Sequence, residues 1–222
     1  MKNYERFSDE ELVKKIRNGE LRLFEMLIRR NNPYLYKTGR CYGYQHADTM
    51  DLMQETFINA YLNLSQFESR SSFKTWIIRI MLNNCYHKRQ KLSHRKELMM
   101  TDAITEKSIP MYSTPSQTDT ARQVISHELK HIVEAGLMDV PAPYRLVFSL
   151  REMNGLSVAE TAALLKITEA NVKVRLSRAK AMLRKEIEKA YAPEDIFDFN
   201  LIYCDVIVNN IMDKIAALSQ GR

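Results

Sequence analysis

Cysteine is scarce in this 222-residue chain, and the three present (Cys41, Cys85 and Cys204) lie far apart. An odd, sparse set is no disulfide framework, and it fits a reducing compartment. Six glycines in the whole chain count against a loop-rich all-β protein and against an extended glycine-rich phosphate cradle. Long apolar runs are also missing: none approaches the roughly 18 residues that a membrane-spanning helix needs. The opening Met1-Lys2-Asn3-Tyr4-Glu5-Arg6 begins a charged segment without the apolar core of a signal peptide. A cytoplasmic protein with no membrane insertion is the expectation. Metal-ligand clusters are absent too, since Cys41 with His46 or Cys85 with His87 offers only two ligands at irregular spacing. No carboxylate pair or nucleophile–base set stands in a convincing context, so neither catalysis nor a cofactor is expected.

What remains is an ordinary globular composition, 45% hydrophobic and 27% charged, in a length that suits one large domain or two small ones. The formal net charge is +6, which fits solubility as well as nucleic-acid binding until it is sorted by position. Residues 79–96 hold six basic side chains (Arg79, Lys88, Arg89, Lys91, Arg95, Lys96) and no acid. Residues 166–185 hold seven (Lys166, Lys173, Arg175, Arg178, Lys180, Arg184, Lys185) against the single Glu169. Asp48, Asp51 and Glu55 make 41–66 acidic, and five acids dominate 191–222. Two separated basic patches point to two contacts on one polyanion.

Helical spacing runs through most of the chain and predicts an all-α fold. Ser8-Asp9-Glu10-Glu11 reads as a capping box, in which Ser8 and Glu11 satisfy each other's backbone N–H groups, and opens a helix to Gly19. Leu23, Phe24, Leu27 and Ile28 continue the pattern until Asn31-Asn32-Pro33, and a new helix is expected to begin at Pro33. From Asp48, the residues Met53, Phe57, Ala60, Tyr61 and Leu64 form one buried stripe of a long helix. A polar break at 65–72 separates it from a second long helix through Phe73, Trp76, Ile77, Ile80, Met81 and Asn84, in which Trp76 belongs to the core. Periodicity then disappears. Residues 98–120, with the Ser/Thr/Pro-rich stretch 107–118, are expected to be a flexible linker between a domain at 8–97 and another at 121–190.

In the second domain Ser157-Val158-Ala159-Glu160 repeats the capping box ahead of a short helix, and Lys166-Ile167-Thr168 breaks it. Thr168 caps a further helix whose Val172, Leu176, Ala179 and Leu183 share one face, while Lys173, Ser177, Arg178 and Lys180 lie off it. A short helix, a tight turn and a second helix that is apolar inward and cationic outward is the helix-turn-helix pattern, built to enter a major groove. An ordinary helical hairpin with a solvated basic face gives the same local pattern.

Two stretches carry a resemblance. Val140-Pro141-Ala142-Pro143-Tyr144-Arg145-Leu146-Val147-Phe148, Gly155 to Ala162 and Ile167 to Lys180 resemble region 4 of the bacterial extracytoplasmic-function sigma factors. Upstream, Asp51-Leu52-Met53-Gln54-Glu55-Thr56-Phe57, Phe67, Ser71 to Ile80 and Asn83 resemble region 2 of the same family, in the family's order, over about 8–190 in all. The resemblance implies a subunit that binds core RNA polymerase and recognises promoter DNA at a −10 and a −35 element. It places polymerase docking on Asp51, Gln54 and Glu55, although acids near a helix start have a plainer explanation in the helix dipole. It assigns the loop residues Phe67, Arg70, Ser71 and Ser72 to capture of a flipped base, a receiver of hydroxyls and an aromatic wall. A solvated turn with Phe67 packed inward is the alternative there.

Arg79, Asn83, His87, Lys88 and Lys91, on one face of the following helix, become candidates for phosphates and base edges of the −10 element. Lys173, Val174, Ser177 and Arg178 match the positions that face the −35 element, with Arg175, Lys180 and Arg184 holding phosphates. Val174 stands where the family often has a small polar residue, Asn171 where Thr is frequent, and His87 where an acid is common. An anti-sigma partner that pins the two domains together is a further implication of the family.

The resemblance leaves 191–222 unaccounted for. Cys204, Ile207, Val208, Ile211 and Ile215 there form an amphipathic helical stripe, expected to fold back on the second domain, the sharper alternative being that it covers the basic helix or contacts a regulator. A free-standing helix-turn-helix regulator and a helical adaptor that binds no DNA are the competing readings. Neither needs the acidic Asp51–Glu55 helix together with the Phe73–Asn83 block.

Overall fold

The computed structural model describes residues 7–98 and 120–190. Among these the chain is helical throughout: α1 Asp9–Arg17, α2 Phe24–Tyr42, α3 His46–Leu62, α4 Phe73–Leu98, α5 Thr120–Asp139, α6 Ala142–Phe148, α7 Val158–Leu165 and α8 Glu169–Ala190. Short 3-10 turns at Leu21–Leu23 and Leu64–Gln66 and a π-helical segment at Ser149–Met153 join them. The expected linker and the C-terminal amphipathic stripe, with Cys204, lie outside the described residues. Among the described residues, those up to Leu183 form one packed unit and those from Arg184 belong to a second.

Both capping boxes form. Ser8 N donates to Glu11 Oε2 at 2.7 Å and Glu11 N to Ser8 Oγ at 3.2 Å, and Ser157 and Glu160 make the same pair at 2.8 and 3.1 Å. Each satisfies two orphan donors of a helix start, which fixes where α1 and α7 begin. Helix α2 departs from expectation, because it runs through Pro33 without a break. An interior proline forfeits one backbone hydrogen bond and costs about 3 kcal/mol in an exposed helix. Here Leu27, Asn31 and Leu35 are buried on either side of it, and Asn31 Nδ2 donates to Leu27 O at 2.9 Å. Packing of that face holds the helix together across the proline.

Helices α2, α3 and α4 pack on one another around Leu27, Leu35, Leu52, Phe57, Phe73, Ile77, Ile78 and Met81. Burying each such side chain contributes about 1.5–3 kcal/mol. Thr49 and Thr56 lie in the same interior, and their hydroxyls donate to Gln45 O at 2.8 Å and Leu52 O at 2.6 Å. Buried hydroxyls bonded back along their own helix leave nothing unsatisfied. The stripe expected on α3 is therefore wider than the apolar residues alone, and Tyr61 sits at its margin, exposed but with its ring edge-on to Phe24 at 5.3 Å. Gly39 lets the helices cross closely: a Cβ there would lie 2.7 Å from both Met81 Cε and Thr49 Cγ2.

The second helical module does not stand apart from the first. Leu150 and Leu156 belong to the apolar cluster of α1–α4, and Leu146, Leu164 and Leu165 pack against it. Polar contacts surround that seam. Lys74 Nζ donates to Asn154 O at 3.0 Å, Asn154 Nδ2 to Thr38 Oγ1 at 3.0 Å, and Thr75 Oγ1 to Glu160 Oε1 at 2.7 Å. Arg145 Nε donates to Cys41 O at 2.7 Å, next to the end of α2, while Nη1 reaches Met138 O at 2.6 Å and Val140 O at 3.1 Å at the end of α5. One guanidinium thus closes two helix C-termini, where carbonyls lack partners and positive charge is favoured.

Candidate nucleic-acid interface and protein-docking face

Asp51, Gln54 and Glu55 are exposed on α3, back to back with buried Leu52, Met53, Thr56 and Phe57. The same outward stripe continues at helical spacing through Ile58, 59% exposed, and Leu62, 69% exposed. Sequence reasoning missed these two; the available signal was that they are apolar yet fall off the buried face. Aliphatic side chains that far exposed, contiguous with three hydrogen-bonding groups, make a face suited to another protein. Asp48 is not part of it, because it pairs with Lys88 at 2.5 Å.

The loop after α3 is anchored from below. Arg17 Nε donates to Leu64 O at 3.0 Å and its Nη2 to Phe67 O at 2.7 Å. Phe67 is only 3% exposed, with its ring against Phe73 at 5.6 Å and Trp76 at 5.4 Å. It turns inward and offers no open wall to a base, because three aromatic rings gain more by packing together than by solvation. The accessible part of the loop is Arg70, ion-paired with Glu68, and the two serines. Ser71 Oγ donates to Ser72 O at 3.4 Å. Ser72 caps α4, accepting from Thr75 N at 3.1 Å and sharing a hydrogen bond with Thr75 Oγ1 at 2.9 Å. Trp76 packs at the edge of the core, in line with its spacing.

Along α4, Arg79, Asn83, His87 and Lys91 project to solvent. Lys88 does not join them. It is half-buried between the Asp48 carboxylate and the Tyr44 ring, 5.6 Å away, which ties it to the interior. Tyr86, which sequence reasoning passed over, is exposed on the face shared by Arg79 and Asn83. Two thiols in this domain are inert. Burial pushes Cys41 up and Cys85 to about 12, the latter against the lowering effect of Lys88, so both stay protonated. Among the described residues no His/Cys/Asp/Glu group could hold a metal ion, and His46 Nδ1 is engaged with Tyr36 Oη at 3.0 Å.

In the second module, α7 ends with Lys166 in the left-handed conformation, φ +54°. Thr168 Oγ1 accepts from Asn171 N at 3.2 Å and starts α8. Val172, Ala179 and Leu183 of α8 are buried, and Val172 packs with Val147 and Ala162. Opposite them Lys173, Val174, Ser177, Arg178, Lys180 and Arg184 are exposed, with Arg175 half-buried. Lys180 also reaches Glu152 at 3.0 Å, an exposed pair worth little in water and easily exchanged for a phosphate. The result is one helix held from behind with a cationic outer face.

Comparison with known proteins agrees with this geometry. The Sigma-70 region 2 family model matches residues 27–95, and the Sigma-70 region 4 family model matches 131–183. The ECF RNA polymerase sigma-E factor of Escherichia coli (strain K12) is 27% identical over 187 residues, covering 83% of this chain and 96% of that protein. The protein of the same name from Haemophilus influenzae is 27% identical over 190 residues, covering 83% and 97%. Two solved structures share the fold. CnrH in complex with the cytosolic domain of CnrY has a TM-score of 0.57 at 24% identity, covering 82% of this chain and 99% of that one. The sigma factor RpoE in complex with the anti-sigma factor NepR from Bartonella quintana has a TM-score of 0.61 at 21% identity, covering 74% and 96%. With both regions matched in order and these relatives spanned nearly end to end by the chain, the protein belongs to the extracytoplasmic-function type of RNA polymerase sigma factors, which initiate transcription and are not enzymes.

Proposed function

We propose that this sigma factor divides its work between three surfaces. The stripe Asp51, Gln54 and Glu55 on α3, lengthened by Ile58 and Leu62, docks on core RNA polymerase. The loop residues Arg70, Ser71 and Ser72, with Arg79, Asn83, His87 and Lys91 on α4, receive the −10 element. Lys173, Val174, Ser177 and Arg178 on α8 face the −35 element in the major groove, while Arg175, Lys180 and Arg184 neutralise phosphates. Phe67 supports the −10 loop from within instead of contacting a base, and Lys88 positions the α3–α4 pair through Asp48.

The observation that carries the reading is the division of α8, whose Val172, Ala179 and Leu183 are buried while Lys173, Ser177 and Arg178 stand free. A helix bound on one side and cationic on the other presents base-reading and phosphate-binding groups together. The protein acts in the cytoplasm with the polymerase, and a protein regulator of the anti-sigma class is its natural partner there, as the anti-sigma factor NepR is for RpoE of Bartonella quintana. No described helix is long and apolar enough to cross a membrane. Co-purification with core polymerase, followed by run-off transcription from genomic fragments, tests the proposal. The expected result is a core complex that initiates at discrete sites, and absence of core binding at low salt overturns it.

A further inference from the structure

Helix α1 carries none of the residues assigned to polymerase or DNA, yet its last residue reaches the loop that follows α3. Arg17 Nε donates to Leu64 O at 3.0 Å and Nη2 to Phe67 O at 2.7 Å, and Nη2 also contacts Leu64 O. Phe67 N donates to Leu64 O at 3.2 Å across the short Leu64–Gln66 turn. Both ends of that turn therefore rest on one guanidinium, 47 and 50 positions away in the chain, whose planar fork fixes the spacing between the two carbonyls. Arg17 is otherwise exposed.

Those carbonyls border the accessible tip of the loop. Residues 65–72 contain no glycine, asparagine or aspartate, so none of the residues that readily take a positive φ is present. Ser69 nevertheless has φ +56°, a left-handed conformation that persists only where the surroundings impose it. Within the tip, Arg70 pairs with Glu68 and Ser71 Oγ donates to Ser72 O, both contacts local to the loop. Support from outside comes at its two ends. Ser72 caps α4 by accepting from Thr75 N at 3.1 Å. At the other end the Phe67 ring packs on Phe73 and Trp76, while Arg17 holds the backbone.

We propose that Arg17 is a positioning residue for the −10 loop: by holding the Leu64 and Phe67 carbonyls it sets the turn on which Arg70 and Ser71 are presented. The inference rests on the reading of that loop as part of the −10 surface. Arg17 acts through the loop backbone and touches no base. Its removal keeps every DNA-facing side chain but lets the tip sample several arrangements, so part of the ordering cost moves to the moment of binding. A less defined loop also distinguishes one base from another less well, because discrimination depends on groups fixed in place before the base arrives.

The test uses the full chain assembled with core polymerase. The probe is a fork-junction DNA from a start site mapped by run-off transcription, with each of the four bases placed in turn at the unpaired −10 positions. In Arg17→Ala the affinity ratio between best and worst base at the most selective position should fall about two- to 12-fold, the effect of one more side chain to be ordered on binding. Arg17→Lys, which keeps the charge but not the fork, should restore only part of that ratio. Lys14→Ala removes an exposed cation of the same helix and should leave the ratio at its wild-type value. Core binding should be unchanged in all three variants. Salt dependence separates positioning from direct contact: the slope of log K against log salt should stay constant in Arg17→Ala, and a fall of about 0.7 would make Arg17 a phosphate ligand and overturn the inference. A wild-type ratio in Arg17→Ala overturns it as well. So does a loss of equal size for every base or a loss in core binding, since either makes Arg17 a general support of the domain. If the wild-type chain shows no base preference on the unpaired strand, the reading of the loop itself fails, and that measurement is made first.

Discussion

The guanidinium of Arg145 donates to the carbonyl of Cys41 at 2.7 Å, a bond between residues 104 positions apart that ties the helix-turn-helix module to the C-terminal end of α2. The same side chain closes α5 through Met138 O and Val140 O, and it is only 7% exposed. Burial lowers its pKa, yet a guanidinium stays charged at any ordinary pH. Gly43 makes room for it: φ is +113° there, and a Cβ would stand 3.3 Å from Arg145 Nη2.

Removing that group should be costly. Arg145→Ala leaves three buried carbonyls without their donor and a cavity at the seam, and about 2–4 kcal/mol of stability should be lost. Urea unfolding checks this, with a lowered midpoint expected. Arg145→Lys, which keeps the charge but not the fork that serves two helix ends, should recover less than half of the loss.

A methyl group at Gly39 should be poorly tolerated. Met81 Cε can move aside, but Thr49 Cγ2 belongs to a short, stiff side chain whose hydroxyl is already committed to Gln45 O. Gly39→Ala should therefore destabilise the domain by about 1–3 kcal/mol despite the better helix propensity of alanine. A lower thermal midpoint is the expected reading, and a raised one would contradict the close crossing of α2, α3 and α4.

The Thr75–Glu160 contact gives the seam a pH dependence. The hydrogen bond from Thr75, followed by those of Ser157, holds the Glu160 carboxyl below its ordinary value of 4.5. A depressed carboxylate contributes stability that is complete above that ordinary value and disappears as pH falls through the lowered one. Trp76, the single tryptophan of the chain, is next to Thr75 and reports the change. Its emission in the wild type should shift on acidification below pH 4.5. In Glu160→Gln that component of the shift should be absent.

On α3, Ile58 and Leu62 can be altered without touching the interior. Ile58→Asp and Leu62→Asp should leave the stability, read from thermal unfolding, within about 0.5 kcal/mol of wild type, as exposed positions do. Affinity for core polymerase should fall at least tenfold if the outward stripe is the docking face. Equal affinity in a pull-down titration would remove both residues from that face.

For α8, the charges can be counted in solution. Lys180→Ala and Arg184→Ala should each flatten the slope of log K against log salt for duplex promoter DNA by about 0.9, the effect of one phosphate neutralised. A base-reading residue would instead relax specificity at one position, at about 1–3 kcal/mol of discrimination. Competition between promoter variants distinguishes the two roles for each residue.

Local chemistry made much of this protein readable before any coordinates. Ser8 with Glu11 and Ser157 with Glu160 mark helix starts because a capping box is complete within four residues. The apolar face of α8 and its cationic opposite follow from a period that every helix obeys. The two basic blocks needed only counting. Pairing across distance is what sequence left open, because periodicity says which side of a helix is apolar and nothing about what covers it.

Tertiary structure decided that Phe67 turns into a cage of Phe73 and Trp76, that Lys88 leaves the DNA-facing row for Asp48, and that α2 continues through Pro33 because both neighbouring turns are packed. It also set Leu150 and Leu156 into the first domain's core and put Arg145 on the Cys41 carbonyl. Each outcome depends on a partner dozens of residues away. The sequence alone determined most of the helix starts and the charge each helix presents; the packing of those helices decided where α2 runs on and which charges and rings are free to meet polymerase and DNA.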